Sequence, residues 1–241
     1  MQIIKAENYT EMSQKAAGFI LTRIKANPAL TLGLATGGTP VGTYEELIED
    51  HVQNGTSYSQ AITFNLDEYI GLSAGHKNSY RQFMNEKLFN HIDIPLSQTH
   101  IPHGDAEDIE MECMSYEKLI ERNGGIDLQL LGIGRNGHIG FNEPGTPFES
   151  ATHIVDLAPS TIKANARFFS SPEEVPTQAI TMGISTIMKS REILLLVSGE
   201  AKKEAMKKLM SGEISEKFPA SILNQHPNVT VIIDQAAWPA N

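Results

Sequence analysis

A histidine and a carboxylate stand five positions apart, at 138 and 143, in the glycine-rich segment from Gly132 to Pro144. Imidazole titrates near neutral pH and can therefore move protons, and a carboxylate bonded to its second nitrogen would fix its tautomer. Four glycines within nine residues let this backbone turn sharply and approach a ligand closely. Because no serine or cysteine nucleophile stands beside His138 and Glu143, the pair favours acid–base chemistry, with a structural histidine in a turn as the alternative.

A second candidate is the carboxylate pair Asp67 and Glu68, within the segment Phe64–Tyr69. Adjacent side chains cannot both point the same way, so we expect one to face a cleft and the other to be held by a structural partner. A carboxylate in a cleft can serve as a general base when a substrate proton comes within hydrogen-bond reach. Taken alone, an Asp-Glu pair is more typical of a solvated turn.

The run Thr36-Gly37-Gly38-Thr39 precedes Pro40 and a predicted helix. Glycines before a helix N-terminus leave backbone N–H groups free to bind phosphate, and the helix dipole favours the anion. The segment lacks the Lys-Ser/Thr of a Walker loop and the G-x-G-x-x-G of a dinucleotide site. The pattern therefore predicts a phosphate-binding loop, with a plain tight turn as the alternative.

Two cationic residues could complement an anionic ligand. Lys202 falls in the first turn of a predicted helix, where its charge opposes the dipole, and a bound anion would explain that placement. Arg167 is suited to forked phosphate recognition, but its spacing alone is that of an ordinary surface arginine.

The elements that must position these groups alternate between strands and helices. The hydrophobic pattern predicts helices over residues 9–26, 40–51, 79–89, 107–122 and 200–210, and strands over 30–35, 61–66, 126–131, 179–182, 193–197 and 229–233. This alternation predicts a doubly wound α/β fold, Rossmann-like, with a mostly parallel sheet covered by helices on both faces. In such a sheet ligands bind beyond the carboxyl ends of the strands, where every candidate group falls. We expect one domain over residues 1–241, with an irregular stretch at about 144–170 that could close as a mobile lid.

Composition narrows the function classes. The chain has 241 residues and a formal net charge of −10, which disfavours a nucleic-acid partner. Neither a signal peptide nor a membrane span is evident, and the single cysteine, Cys113, fits a reducing compartment, so we expect a cytoplasmic protein without a membrane partner. His100 and His103 lack a third ligand of suitable spacing, and no metal site is expected.

The segments Leu32–Pro40, Phe64–Tyr69 and Gly132–Pro144 together resemble the glucosamine-6-phosphate deaminase family, and the likeness runs from about residue 1 to residue 235. The resemblance implies a doubly wound α/β fold. It also implies conversion of glucosamine 6-phosphate and water to fructose 6-phosphate and ammonia, in amino sugar catabolism and without a cofactor. We expect an enzyme classed as a hydrolase acting on a C–N bond.

The resemblance also implies roles for individual residues. Asp67 matches the base that moves the C2 proton, His138 the group that opens the sugar ring, and Glu143 the residue that orients it. Asn136 stands where many members have aspartate, so it can orient a partner but cannot carry charge. The residues that match the phosphate site are Thr36, Gly37, Gly38, Thr39, Arg167 and Lys202.

Regulated members of the family place basic residues after the Glu-Pro motif and extend further at the C-terminus. The corresponding positions here are His153 and Val155, and the sequence stops at Asn241. We therefore expect little or no activation by N-acetylglucosamine 6-phosphate, and a monomer or small homo-oligomer.

Two other functions remain open. A 6-phosphogluconolactonase shares the fold and a glycine-rich histidine loop, but it needs water activation at an ester rather than a base at C2. A non-catalytic sugar-phosphate sensor should carry a DNA-binding segment and lack an acid–base residue. The presence of Asp67, His138 and Glu143 favours the deaminase over both.

Overall fold

Seven parallel strands form the central sheet in the order β1-β10-β9-β6-β2-β3-β5. The computed structural model describes residues 1–158, 162, 169, 171 and 174–239. The strands of this sheet are β1 (Gln2–Ala6), β2 (Thr31–Leu34), β3 (Ile62–Asn65), β5 (Thr99–His100), β6 (Leu128–Gly132), β9 (Glu192–Val197) and β10 (Val229–Asp234). The predicted mostly parallel sheet is confirmed.

Helices cover both faces of the sheet. They are α1 (Tyr9–Ala26), α2 (Val41–Asn54), α3 (Tyr80–Lys87), α4 (Ile109–Arg122), α5 (Ile184–Met188) and α6 (Lys203–Met210). Strand β9 shows why two layers are needed: Leu194 and Leu196 pack with α1 to α3, whereas Ile193, Leu195 and Val197 pack with α4 to α6. A strand that is buried on both faces has a continuous apolar sequence, and the run Ile193–Val197 predicts β9 for this reason.

Local signals fix the ends of the longer helices. The side chain of Asn8 accepts the Glu11 N–H at the start of α1, and Asp108 accepts the Met111 N–H at the start of α4. Helix α2 ends at Gly55, whose φ of 71° is the left-handed conformation that glycine adopts without strain. The predicted bounds of these three helices differ from the observed ones by a few residues at most.

A second, antiparallel sheet has the order β4-β8-β7 and was not predicted. It consists of β4 (Asp67–Tyr69), β8 (Gln178–Thr181) and β7 (His153–Asp156). Strand β7 lies inside the stretch expected to be irregular, and β4 lies where the sequence suggested a loop. Three-residue or solvent-facing strands carry too little periodicity for detection, and their pairing is decided by contacts distant in sequence.

No helix within the described ranges is long and apolar enough to cross a lipid bilayer. The single cysteine, Cys113, is buried in α4, and burial raises the pKa of its thiol to about 11, which disfavours the reactive thiolate.

Candidate active site

Four neighbouring strands, β9, β6, β2 and β3, end at the same edge of the sheet, and each leads directly into one of the predicted site segments. The chain order reverses between β2 and β6, because β3 and β5 follow on one side and β9 and β10 on the other. A crevice at such a reversal is where open α/β sheets bind ligands. The fold therefore brings the separate motifs to one rim.

The segment Thr36–Thr39 joins β2 to α2, as predicted. Gly37 has a φ of 87°, and the N–H groups of Gly37, Gly38 and Thr39 donate to no acceptor among the described residues. Both glycines are exposed. Unpaired N–H groups ahead of a 14-residue helix are suited to an anion.

Lys202 reaches this rim from the end of β9. Its Nζ donates a hydrogen bond of 2.6 Å to the carbonyl oxygen of Ile133, in the glycine-rich segment. Burial lowers the pKa of the amine, and the neighbouring positive charge of Arg135 lowers it further. Two cations near each other at a crevice favour an anion between them.

The predicted helix over 200–210 is divided at Lys202. Residues Glu200–Lys202 form a 3-10 turn, and α6 begins at Lys203. Lys202 therefore stands at the start of α6 rather than inside the first turn of one continuous helix. The hydrogen bond from Lys202 to the carbonyl of Ile133 is a structural reason for a lysine at this position. The sequence alone could not show this bond. Arg167, the other predicted cation, lies outside the described residues.

Asp67 is almost completely buried, with 6% of its surface exposed, on the short strand β4. Its side chain makes no hydrogen bond with any described residue, and a Cβ on Gly140 would lie 3.7 Å from its Oδ2. Burial, and then the negative charge of Glu68, raise the pKa of Asp67 to about 8. This arrangement gives an unpaired carboxyl group against the glycine-rich segment.

Glu68 points the other way and is held by structure, as the sequence predicts. Its carboxylate accepts the N–H groups of Tyr69 (2.9 Å), Tyr80 (2.9 Å) and Arg81 (3.0 Å). Burial raises its pKa to about 7, while the backbone donors and Arg81 act in the opposite direction. Glu68 therefore anchors the start of α3 beside β4.

His138, Glu143 and Asn136 form a connected group. Nδ1 of His138 lies 3.4 Å from Oε1 of Glu143, but the orientation does not meet hydrogen-bond geometry. Asn136 links the two, because its Nδ2 donates to Oε2 of Glu143 at 2.6 Å and its Oδ1 accepts the backbone N–H of His138 at 3.2 Å. The predicted His–Glu pair is therefore adjacent, but Asn136 rather than a direct hydrogen bond links the two residues.

Close packing around glycines shapes this segment. The His138 ring lies against Gly134, where a Cβ would come 2.4 Å from Nε2. Gly137, with a φ of 88°, lies against Phe218, which would meet a Cβ at 2.1 Å. Side chains at these glycines would displace the histidine or the backbone that carries it.

The aromatic residues that connect the segments were not identified from the sequence. Tyr80 stacks on Phe141 at 6.2 Å between ring centroids, and its hydroxyl donates to that of Tyr69 at 3.2 Å. The Thr36 side chain lies near the Tyr80 hydroxyl. Tyr80 therefore lies between the segment Thr36–Thr39 and the segment around His138. It stands on α3 outside every motif, so no local signal could have found it.

In the described part of the chain, no group of three or more histidine, cysteine, aspartate or glutamate side chains is arranged to hold a metal ion. His100 is the last residue of β5, and its ring packs on Phe64 at 4.8 Å. The site as described combines a buried carboxyl group at Asp67, the imidazole of His138, a loop with unpaired backbone N–H groups and the amine of Lys202.

A family model described as glucosamine-6-phosphate isomerases/6-phosphogluconolactonase matches residues 5–232. This chain belongs to that family. A glucosamine-6-phosphate deaminase of Geobacillus sp. (strain WCH70) is 65% identical over 98% of this chain and 94% of its own length. The corresponding deaminase of Shouchella clausii (strain KSM-K16) is 62% identical over 98% and 96%.

Solved structures agree with the fold. A monomeric glucosamine-6-phosphate deaminase superposes with a TM-score of 0.97 at 53% identity, covering 98% of both chains. A 6-phosphogluconolactonase from Trypanosoma cruzi superposes with a TM-score of 0.79 at 21% identity, covering 98% of this chain and 95% of its own. At that identity the likeness shows the shared fold alone.

The relatives correct one prediction. The expected class, a hydrolase acting on a C–N bond, is not supported, because the family is described by isomerisation and its relatives by deamination. The resemblance rested on residues that handle protons, and such residues do not by themselves distinguish hydrolysis from isomerisation.

Proposed function

We propose that this protein converts glucosamine 6-phosphate and water to fructose 6-phosphate and ammonia. The observation that carries the proposal is the placement of Asp67: a buried, unpaired carboxyl group beside the segment that holds His138 and Glu143. The names of relatives at 65% and 62% identity support it.

Ring opening and isomerisation need two proton transfers at different places on the sugar, which two separate groups can perform. His138, oriented by Glu143 and Asn136, acts on the ring oxygen and the C1 hydroxyl. Asp67 as carboxylate then removes the proton at C2 of the open chain, and protonation at C1 converts the aldose amine to a ketose imine. Water adds to that imine, the C–N bond breaks, and ammonia and the ketose leave.

The substrate phosphate would be bound by the N–H groups and hydroxyls of Thr36–Thr39, with Lys202 and Arg167 as cations. Holding the far end of an open chain fixes C2 against Asp67, which lowers the entropic part of the barrier. The overall charge of −10 makes this local positive site necessary for an anionic substrate.

A direct test is to incubate the purified protein with glucosamine 6-phosphate and to measure ammonia and fructose 6-phosphate. We expect equal amounts of both, and a slower reaction with substrate deuterated at C2. Asp67→Asn should lower turnover by at least about a hundredfold while leaving phosphate affinity unchanged.

The same preparation should be assayed with 6-phosphogluconolactone. Lactone hydrolysis without ammonia release would show that the rival activity is correct. Binding of sugar phosphates with turnover of neither compound would indicate a sensor. Normal ammonia release by Asp67→Asn would contradict the assignment of the base.

A further inference from the structure

One side chain outside every motif is bonded to the phosphate loop. Tyr9 is the first residue of α1, and its hydroxyl donates a hydrogen bond of 3.0 Å to the carbonyl oxygen of Gly38, 29 positions away. The hydroxyl oxygen of Tyr9 also accepts a hydrogen bond of 2.8 Å from the N–H of Gly42. The phenol therefore bridges the loop and the helix that follows it.

The hydrogen bond from Tyr9 to Gly38 sets the direction of the Thr39 N–H. The peptide between Gly38 and Thr39 is planar and trans, so its carbonyl and its N–H point in opposite directions. Because the carbonyl is held toward Tyr9, the Thr39 N–H is directed to the other side of the loop. This N–H is one of the three that have no acceptor among the described residues.

The hydrogen bond from Gly42 to Tyr9 takes the place of a side-chain N-cap at the start of α2. Pro40 stands at the N-cap of α2 and provides no side-chain hydrogen bond, which leaves the first N–H groups of α2 in need of acceptors. The Tyr9 oxygen satisfies that of Gly42. The absence of a side chain at Gly42 permits this approach, because a Cβ there would lie 3.0 Å from Cε1 of Tyr9 and 2.5 Å from Oγ of Ser13.

We propose that Tyr9 is a positioning residue for phosphate binding, whose hydroxyl holds the Gly38–Thr39 peptide in its anion-binding orientation before the ligand arrives. The inference rests on the proposed function for the identity of the ligand. A loop ordered in advance loses less conformational freedom on binding, so the ligand binds more tightly. Tyr9 acts through the loop and makes no contact with the reacting carbons.

The test is Tyr9→Phe, which removes both hydrogen bonds and keeps the ring. Tyr58→Phe is the matched control, since the buried hydroxyl of Tyr58 donates to the carbonyl of Leu47 at 3.3 Å, in the interior of α2 and not at the loop or at the first turn. Each variant and the parent protein are compared in steady-state kinetics with glucosamine 6-phosphate, in the calorimetric Kd of inorganic phosphate, and in Tm.

For Tyr9→Phe we expect KM and the Kd of phosphate to rise together, by roughly three- to tenfold, which corresponds to about one net hydrogen bond. Its kcat should stay within about twofold, because the proton-transfer groups are untouched. Tyr58→Phe should change neither KM nor Kd, whatever its effect on Tm.

The proposal is overturned if Tyr9→Phe binds phosphate as the parent does, if only kcat falls, or if Tyr58→Phe weakens phosphate binding equally. A parent protein that binds no phosphate also overturns it. The phosphate titration needs no turnover, so the role of Tyr9 is decided even if glucosamine 6-phosphate proves not to be a substrate.

Discussion

Among single residues, the adjacent carboxylates Asp67 and Glu68 have side chains that point in opposite directions and have different partners. Asp67 is buried without a hydrogen bond in the described part of the chain, whereas Glu68 accepts three backbone N–H groups. The same neighbourhood raises the pKa of both, but only Asp67 faces the segment that carries His138. Burial without a partner leaves Asp67 available to a substrate proton.

Lys202→Ala should weaken substrate binding through the phosphate. The loss of one charged hydrogen bond costs about 1.5–3 kcal/mol, which is on the order of ten- to 150-fold in kcat/KM. Steady-state kinetics with glucosamine 6-phosphate measure this. Lys203→Ala is the control, because Lys203 pairs at 3.2 Å with the exposed Glu200 and should have little effect.

Binding measurements with glucosamine and with its phosphate ester complete the test of Lys202. Equal weakening of the two compounds would contradict a phosphate role and would point instead to the lost hydrogen bond with Ile133.

At the scale of elements, β4 is fixed from outside its own sheet. Gly104 lies against it so closely that a Cβ would come 1.9 Å from the Tyr69 carbonyl oxygen and 3.2 Å from Cγ of Glu68. The Gly104 carbonyl in turn accepts the Gly71 N–H at 2.8 Å. A loop distant in sequence from the motifs therefore determines where Asp67 stands.

Gly104→Ala should displace β4, lower the free energy of unfolding by about 1–3 kcal/mol and reduce kcat. Urea unfolding and the ammonia assay measure the two effects. Gly75→Ala is the matched control, because a Cβ at that glycine meets nothing within 4 Å and its φ is not positive. If both variants behaved alike, the contact of Gly104 with β4 would not be what holds Asp67 in place.

At the scale of the whole molecule, the site carboxyl makes stability depend on pH. The pKa of Asp67 is about 8 in the folded chain and about 3.9 in an unfolded one. A group whose folded pKa is raised stabilises the fold fully below the unfolded value, and that contribution is lost as pH rises through the folded value. The burial that raises the pKa of Asp67 therefore lowers the free energy of unfolding progressively between about pH 4 and pH 8.

Asp67→Asn should remove this loss of stability with rising pH, since asparagine does not ionise. We expect the variant to gain stability over the parent as pH rises from about 4 to about 8, reaching a few kcal/mol, and to keep that difference above pH 8. Unfolding by urea at several pH values measures it. Asp105→Asn, at an exposed loop position, controls for the loss of one negative charge, and a pH-independent difference for Asp67→Asn would contradict the raised pKa.

We also predict that this protein is a monomer or small homo-oligomer and that N-acetylglucosamine 6-phosphate activates it little or not at all. The solved relative at 53% identity is described as monomeric. His153 and Val155, at the positions where regulated members place basic residues, lie on β7. Sedimentation and substrate titrations with and without the effector test this, and a sharp rise in apparent affinity would show it to be wrong.

Local signals in the sequence were enough to predict the parallel sheet and the segments into which its strands lead. Apolar runs such as Ile193–Val197 predict buried parallel strands, and the glycine-rich segments after strands predict where a ligand binds, because both signals are local. The opposite directions of Asp67 and Glu68 also follow from their adjacency. The roles of His138 and Lys202 rest on residue type and position as well as on the resemblance, that of Asn136 on the resemblance, and all three stay predictions.

Which distant groups contact these segments depends on how the whole chain packs. Tyr9, Tyr80 and Gly104 carry no local pattern, and each meets a motif only after the sheet and its helices have packed. The raised pKa of Asp67 likewise depends on burial by segments far away in the chain. Contacts between residues distant in sequence are products of packing, and packing is a property of the whole fold rather than of any segment.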